Sequence, residues 1–306
     1  MTDLLHVDHV SKRYAQGGVL SRDHVDAVID ADFSLNRKAP EIFTIIGESG
    51  SGKTTLARMI LGLETPTSGR ILFEGAPVPT TGTGRQRRAF MAKVQPVFQN
   101  PFEAFNPLKR VDRYLSSTAR SFLGLTKPSD IDAAMDAALH KVGLTLAEVG
   151  GRYPHELSGG QLQRAAIARA LVCNPSLLIA DEPVSMVDAS LRMSIVNLLK
   201  ALRDDAGVTV IYITHDLATA YYISDRILIM QKGRVVETGP ARVVLDAPLH
   251  PYARLLKASV LSTADAGAGR LEPSSALIAE CDGLLQRADG SRLVAQADGR
   301  QVRVYG

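Results

Sequence analysis

Alternating apolar and polar positions mark the beginning of the chain. Residues 3–46 alternate in the manner of strands and predict an antiparallel β layer. This layer leads into residues 42–46, a short apolar and β-branched run that is typical of a buried strand. Another short strand is predicted at 71–73, and a basic loop rich in glycine and threonine is predicted around 82–88.

Helical spacing follows in the middle of the chain. Residues from about 110 to 150 carry alanine and leucine at helical intervals, and Gly143 is the predicted C-terminal stop. From 176 to 240, two strong apolar runs alternate with helical patterns, which indicates a parallel sheet. The pattern therefore predicts an α/β fold in which a parallel sheet adjoins an antiparallel layer.

The last part of the chain has a different composition. Residues 261–275 are rich in Ala, Gly, Ser and Asp and predict a linker. Beyond them, the Asp-Gly pairs at 289–290 and 298–299 interrupt alternating runs, which is a hairpin signal. We therefore expect a small three-stranded meander. A frayed tail is the alternative, because so small a sheet buries little by itself.

The amino-acid composition excludes few classes of protein. The 306 residues, 45% hydrophobic and 22% charged, suffice for one large or two small globular domains. A net charge of +3 is too small to argue for nucleic acid as a partner. The two cysteines, Cys173 and Cys281, lie far apart without metal-ligand spacing, which indicates a reducing compartment.

Neither a signal peptide nor a transmembrane span is expected. The first residues are charged and alternating, unlike a secretory leader. No apolar run approaches the roughly 18 residues that crossing a bilayer requires. The chain is expected to be soluble by itself and to reach a membrane only through a partner.

The sequence GESGSGKTT at 47–55 carries the spacing G-x-x-x-x-G-K-T between a predicted strand and a helix start, which is the context of a phosphate-binding loop. Glycines allow a tight turn that points N–H groups inward, and the helix adds its positive end. Lys53 is predicted to reach the β- and γ-phosphates, and the Thr54 hydroxyl to ligate Mg²⁺. The predicted nucleotide-binding residues of this loop are Gly47, Ser49, Gly50, Gly52, Lys53, Thr54 and Thr55.

A second phosphate site is predicted at LSGGQ, residues 157–161. Ser158 and Gln161 have the spacing of a capping box at a helix start, and the adjacent Gly159 and Gly160 expose backbone N–H groups. Two such helix starts for one nucleotide are hard to explain unless two chains share it. LSGGQ resembles the signature of the ATP-binding cassette (ABC) ATPases, in which the signature of one subunit completes the nucleotide site of its partner.

This resemblance covers about residues 4–260. It implies the P-loop NTPase (RecA-like) fold, with a parallel sheet core, an antiparallel β layer and a helical signature subdomain. The expected nucleotide-binding domain is 1–240, with the helical subdomain at about 100–165. Residues 241–306 are expected to form a small C-terminal extension.

Two apolar strands are expected to end in catalytic side chains. Residues 177–182, LLIADE, end in two acids. Asp181 is predicted to hold Mg²⁺ through water, and Glu182, just beyond the strand, to orient or deprotonate the attacking water. His215 follows the second apolar run and resembles the switch histidine of the family, which makes it the second catalytic candidate.

Three further residues are assigned by resemblance. Gln99 fits the Q-loop, which senses the γ-phosphate and contacts the membrane partner. Asp188 fits the D-loop, although Val187 stands where the family more often has Leu. Tyr14 fits the aromatic residue that stacks on adenine; an ordinary strand tyrosine is the alternative. The predicted metal-binding residues are Thr54, Gln99 and Asp181.

Two segments resemble one branch of the family, the oligopeptide, dipeptide and nickel importers. They are QNPFEAFNP at 99–107 and HPY at 250–252. Some members of this branch hold an iron–sulfur cluster on C-terminal cysteines. Cys281 is alone in that region, so we predict no cluster.

The resemblance implies the ATPase subunit of a bacterial importer, a peripheral protein on the cytoplasmic face of the inner membrane. ATP and Mg²⁺ are the expected cofactors. The expected partners are two integral membrane permease subunits, a second ABC ATPase subunit (identical or paralogous) and, through the complex, an extracytoplasmic solute-binding protein. A soluble ABC ATPase of DNA repair or translation is the alternative. Peptides, nickel chelates and oligosaccharides all remain open as solutes.

Overall fold

Helices pack against a large mixed β-sheet, which confirms the predicted α/β fold class. The computed structural model describes residues 3–16, 23–81, 83–185, 187–264, 275–287 and 290–305. Its strands are β1 (Asp3–Gln16), β2 (Asp23–Asn36), β3 (Ile42–Ile46), β4 (Ser68–Phe73), β5 (Ala76–Pro77), β6 (Val94–Val97), β7 (Leu177–Asp181), β8 (Thr209–Thr214), β9 (Arg226–Gln231), β10 (Arg234–Pro240), β11 (Arg292–Ala295) and β12 (Gln301–Val304).

The helices lie between these strands along the chain, singly or in succession. They are α1 (Lys53–Ile60), α2 (Gly84–Lys93), α3 (Pro101–Ala104), α4 (Val111–Leu123), α5 (Pro128–Lys141), α6 (Leu146–Val149), α7 (Gly159–Leu171), α8 (Ala189–Asp204), α9 (Leu217–Ile223), α10 (Ala241–Asp246), α11 (Pro251–Ala264) and α12 (Ser275–Gln286), with a 3₁₀ turn at Pro154–Glu156. Within the described ranges, no helix is long and apolar enough to cross a membrane.

The core of the sheet is parallel, as the apolar runs predict. Strands β9, β3, β8, β7 and β6 lie side by side in that order, each parallel to the next. Every residue of β3 and β8 is buried. Parallel strands covered on both faces have no polar side to present, which explains their continuous apolar sequences.

The N-terminal strands form the predicted antiparallel layer. Strand β1 pairs in antiparallel fashion with both β2 and β4, and β4 pairs with β5. A single parallel pairing between Ile29 of β2 and Arg234 of β10 joins this layer to the rest of the sheet. The loop after β3 lies close to the antiparallel layer, because its Gly52 packs against the backbone of Ala27 in β2.

The basic segment at 82–88 is a helix over most of its length, and the expectation of a loop there is wrong. Helix α2 begins at Gly84, and Gly82 lies outside the described residues. Thr83 caps the helix, because its hydroxyl accepts from the backbone N–H of Gln86 at 3.4 Å and the Gln86 side chain accepts from Thr83 N–H at 3.1 Å. The T-x-x-Q spacing of a capping box was thus present in the sequence.

Helices α4, α5 and α7 pack together as a helical region on one side of the sheet. Their contact positions are fully buried, with Leu115, Leu139 and Leu162 each at 0% exposure. Gly143 has φ of 68° just beyond α5, which confirms it as the helix stop, because glycine adopts this left-handed conformation without steric cost.

The C-terminal extension differs from the expected linker and meander. Helix α11 continues to Ala264, so residues 261–264 are not a linker, and residues 265–274 lie outside the described ranges. The tail contributes two strands, β11 and β12, and a helix, α12, in place of a third strand. Strand β12 pairs with β10 of the main sheet. The tail hairpin β11–β12 is therefore stabilised by pairing with β10. The sequence of the tail alone does not reveal this partner strand.

Candidate functional site

The glycine-rich loop lies between β3 and α1, as predicted. Gly50 and Gly52 have φ of 79° and 101°, a left-handed region that favours glycine. A Cβ at Gly52 would lie 2.1 Å from the carbonyl oxygen of Ala27, and one at Gly47 would lie 2.2 Å from that of Met230. Both glycines are therefore required by close backbone approach.

Lys53 is buried inside this loop. Its side chain is held by the loop itself, because Nζ donates to the carbonyl oxygens of Gly47 and Glu48, each at 2.7 Å. Burial lowers the pKa of Lys53, and the nearby carboxylates of Glu182 and Asp181 act in the opposite direction. The loop itself therefore removes the ammonium group partly from water.

The two acids occupy different environments at the end of β7. Asp181 is the last residue of the strand, and burial raises the pKa of its carboxyl, while a hydrogen bond with Thr54 lowers it. Glu182 has left the strand and has φ of 45°. Two hydrogen bonds hold the Glu182 backbone in this conformation. Its N–H donates to the carbonyl oxygen of Ile213 at 2.9 Å, and its own carbonyl oxygen accepts from the Ser185 hydroxyl at 3.0 Å. A left-handed backbone costs free energy at a glutamate, and strained residues of this kind cluster at functional sites.

The side chains of Gln99, Glu182 and His215 meet. Gln99 Nε2 donates to Glu182 Oε2 at 3.2 Å, and His215 Nδ1 hydrogen-bonds with Glu182 Oε1 at 2.9 Å. Each carboxylate oxygen therefore has a partner. The three residues come from separate loops after β6, β7 and β8, whose C-terminal ends lie along one edge of the parallel sheet.

These groups line one open cavity of about 660 Å³. Its walls hold phosphate-loop residues, the acids and His215, together with three residues of β2 that sequence reasoning missed. The lining residues are Val25, Asp26, Ala27, Ser49, Gly50, Gly52, Lys53, Thr54, Thr55, Gln99, Asp181, Glu182 and His215. The β2 residues carry no motif, and only the folded sheet brings them to the loop.

Tyr14 lies beside this cavity and is not one of its lining residues. It is 36% exposed, and the Lys12 ammonium lies 4.9 Å from the centre of its ring. In the β1–β2 pairing Tyr14 stands opposite Val25, which does line the cavity. Directly opposite residues share a face of the sheet, so the ring stands one strand away from the opening.

The signature segment LSGGQ, residues 157–161, does not line the Lys53 cavity. Ser158 caps α7, as predicted, since its hydroxyl accepts from Gln161 N–H at 3.2 Å and the Gln161 side chain accepts from Ser158 N–H at 3.0 Å. Ser158 and Gly159 are exposed and do not line the Lys53 cavity, whereas Gly160 is buried against Leu191. Asp188 is exposed at the start of α8 and makes no side-chain cap.

Oxygen donors converge on the same cavity as Lys53. Thr54, Gln99 and Asp181 all line it, and hydroxyl, amide and carboxylate oxygens are ligands that suit Mg²⁺. Across the described ranges no group of three or more His, Cys, Asp or Glu residues could hold a metal by itself. Mg²⁺ in nucleotide sites is held jointly by protein oxygens and by the phosphates.

A phosphate loop with a buried lysine, beside a strand that ends in acids, defines a P-loop nucleoside triphosphatase. The ABC transporter family profile matches residues 31–185. The oligopeptide transport ATP-binding protein OppF of Streptococcus pyogenes serotype M1 is 40% identical over 234 residues, which are 76% of this chain and 75% of that protein. The oligopeptide transport ATP-binding protein AppF of Bacillus subtilis is 39% identical over 248 residues, 81% of this chain and 74% of that protein.

Solved structures agree with this result. The dimeric ATP-binding cassette MJ0796 bound to ADP and Pi matches with a TM-score of 0.68 and 27% identity, over 78% of this chain and 99% of that one. CbiO1 of Clostridium perfringens, part of the ABC transporter complex cbiONQ, matches with a TM-score of 0.68 and 28% identity, over 85% and 96%. The chain belongs to the ABC transporter family and is an ATP-binding subunit that hydrolyses ATP.

Proposed function

We propose that this chain is the ATPase subunit of a bacterial importer and drives the uptake of peptide-like solutes through a partner permease. The relatives at about 40% identity are named as oligopeptide transport ATP-binding proteins, which favours peptides over nickel chelates and oligosaccharides. The segments at 99–107 and 250–252 support the same branch. The chain would act as a peripheral protein on the cytoplasmic face of the inner membrane.

The position of Glu182 is the observation that carries the catalytic proposal. Its carboxylate is held on one side by Gln99 and on the other by His215, beside the cavity that Lys53 lines. A carboxylate oriented in this way can accept a proton from a water molecule that attacks the γ-phosphate. His215 and Gln99 would orient Glu182, and Lys53 with the N–H groups of the loop would bind the phosphates.

Magnesium fits the same site. Gln99 donates to Glu182 through its amide nitrogen, which leaves its amide oxygen for the cation. Thr54 and Asp181 would supply the other protein oxygens, and bound Mg²⁺ would compensate the charge of the phosphates. We predict no iron–sulfur cluster, because Cys281 is the only cysteine of residues 241–306.

Two cassettes, identical or paralogous, would share each nucleotide site. The helix start at Ser158 and Gly159 is exposed and lies outside the Lys53 cavity of its own chain, and the capping box uses the N–H groups of Ser158 and Gln161 but not that of Gly159. An exposed helix start of this kind suits the phosphates of ATP on a facing cassette. Through the permease, the complex would also include an extracytoplasmic solute-binding protein, and nucleic acid is not an expected partner.

Glu182→Gln tests the catalytic assignment. The amide keeps the size and the hydrogen-bonding positions of the carboxylate but cannot accept the proton of the water. ATP binding should therefore persist, while single-turnover hydrolysis slows by a factor on the order of 10²–10⁴. The matched control is Glu280→Gln, the same change at an exposed residue of α12, which should hydrolyse ATP at the wild-type rate.

Near wild-type hydrolysis by Glu182→Gln would move the general base to another residue, with His215 the first to test. A separate measurement decides between the transporter and the soluble alternative. The chain, isolated from its native membranes, should co-purify with integral membrane proteins. Recovery with ribosomes or DNA in place of membrane proteins would overturn the transport proposal.

A further inference from the structure

The HPY segment, residues 250–252, contacts the phosphate loop although it lies about 200 positions further along the chain. Tyr252 is 1% exposed and packs in the same buried cluster as Ile46, the residue before the loop. Its hydroxyl accepts a hydrogen bond from the backbone N–H of Glu48 at 3.0 Å. Residues 204 positions apart in the sequence therefore meet at the first turn of the loop.

Glu48 is held from two sides by its backbone. Its N–H is bound by Tyr252, and its carbonyl oxygen accepts from Lys53 Nζ at 2.7 Å. Burial raises the pKa of Tyr252, so its hydroxyl stays protonated and accepts through a lone pair. The orientation of the peptide groups around Glu48 therefore depends on the Tyr252 hydroxyl at one end and on the phosphate-binding lysine at the other.

The ring of His250 determines where Tyr252 stands. His250 Nδ1 accepts from the backbone N–H of Tyr252 at 3.1 Å. A neutral imidazole that accepts at Nδ1 carries its proton on Nε2, and Nε2 lies 3.0 Å from the hydroxyl oxygen of Tyr305. His250 therefore donates to Tyr305, which follows β12 of the tail hairpin.

A buried ion pair between Glu237 and Arg300 holds the residues just before α11. Glu237 is fully buried, and its carboxylate accepts from the N–H groups of Leu249 and His250 at 2.9 to 3.2 Å. Arg300, from the turn of the tail hairpin, donates to Glu237 at 3.3 Å and to the Ala247 carbonyl at 2.5 Å. The N–H groups of Leu249 and His250, the His250 ring and the Ala247 carbonyl thus all have partners, and two of these partners, Arg300 and Tyr305, come from the tail.

We propose that Tyr252 is a positioning residue for ATP and that the tail hairpin, through Tyr305 and His250, holds it in place. The Tyr252 hydroxyl fixes the Glu48 peptide in the orientation in which the loop N–H groups and Lys53 receive the phosphates. The C-terminal extension is then part of the nucleotide site, acting through the loop without contact with the nucleotide. This inference rests on the proposed function in one respect, namely that ATP is the ligand of the loop.

Tyr252→Phe removes the hydroxyl and keeps the buried ring. The loss of one neutral hydrogen bond from the bound geometry should weaken ATP binding about fivefold, which corresponds to about 1 kcal/mol. The chemical step at saturating ATP should be unchanged, since a binding contact common to ground and transition states alters KM and leaves kcat alone. Titration of the full chain with Mg-ATP and single-turnover hydrolysis measure the two effects.

Tyr114→Phe is the matched control. The Tyr114 hydroxyl also accepts from a backbone N–H, that of Asn106 at 2.8 Å, but in the helical region. Both variants lose one hydrogen bond of the same kind, so both should lose a similar amount of thermal stability. Only Tyr252→Phe should lose ATP affinity. Wild-type affinity in Tyr252→Phe, or an equal loss in both variants, would overturn the proposal.

Amide hydrogen exchange without nucleotide gives an independent readout. The Glu48 amide should exchange faster in Tyr252→Phe than in the wild type, and the rate in Tyr114→Phe should stay at the wild-type value. If the wild-type chain bound no ATP, the proposed function would fail, and unchanged exchange at Glu48 would separately refute the Tyr252 contact.

Tyr305→Phe tests the link to the tail. Loss of the acceptor for His250 should reduce ATP affinity in the same direction as Tyr252→Phe, by a smaller factor. In a double-mutant cycle the combined variant should bind ATP no more weakly than Tyr252→Phe alone, because both changes act through one hydroxyl. Fully additive losses, or wild-type affinity in Tyr305→Phe, would show that the tail does not act through Tyr252.

Discussion

His250 should make this protein less stable in mildly acidic solution. The ring is 1% exposed, and the pKa of His250 is lowered from 6.5 to about 4 by burial first, and then by the nearby guanidinium groups of Arg303 and Arg254. The carboxylate of Glu237 is close by, but its oxygens are engaged by backbone N–H groups and by Arg300. A proton on Nδ1 would also break the bond from Tyr252 N–H.

The sign follows from the direction of the shift. Above about pH 6.5 the imidazole is neutral in the folded and the unfolded chain, and the stability is fully present. As the pH falls from 6.5 towards 4, the unfolded chain binds a proton that the folded chain does not, so the free energy of unfolding decreases. A gap of about 2.5 pH units corresponds to about 3 kcal/mol in total, of which about 2 kcal/mol is lost by about pH 5.

Denaturant unfolding of the wild type and His250→Asn at about pH 7.5 and about pH 5 measures this loss. The asparagine oxygen can still accept the Tyr252 N–H at the helix start, but the side chain does not titrate. The wild type should therefore lose about 2 kcal/mol more than the variant between the two conditions. Exposed His24 offers the control His24→Asn, which should behave as the wild type does. Equal losses in the wild type and His250→Asn would refute a depressed pKa at His250.

Three further predictions concern the nucleotide site and the tail. Lys53→Ala should abolish or nearly abolish ATP binding, since charge-assisted hydrogen bonds are worth about 1.5–3 kcal/mol each; an unchanged dissociation constant in a fluorescence titration would contradict the phosphate-loop assignment. Ser158→Arg should leave ATP binding by the isolated chain intact and block hydrolysis in the assembled dimer, so loss of binding by the isolated chain would mean that the signature acts within its own chain. Cys281→Ser should change neither activity nor the absorbance spectrum, and a broad visible absorbance in anaerobically purified wild-type protein would show that a cluster is present.

The sequence by itself determined the features that depend on neighbouring residues. The phosphate loop is specified within 47–55, because glycines at fixed positions permit the left-handed turns and the close backbone approach that the loop requires. The capping box of α7 depends on Ser158 and Gln161, three positions apart. Parallel strands that are buried on both faces are also recognisable from neighbouring residues, because their sequences are unbroken apolar runs.

Only the tertiary structure decided which distant groups meet. Gln99 and His215 converge on Glu182 from 83 and 33 positions away, since parallel strands deliver their C-terminal ends to one edge of the sheet. The tail became a docked hairpin because β10 offered it an edge, and local composition carries no information about such a partner. Tyr252 contacts Glu48 because the HPY segment is buried in the same cluster as Ile46 of β3, which brings together residues 204 positions apart. Contacts of this kind depend on long-range packing, and a motif records only what its own residues can do.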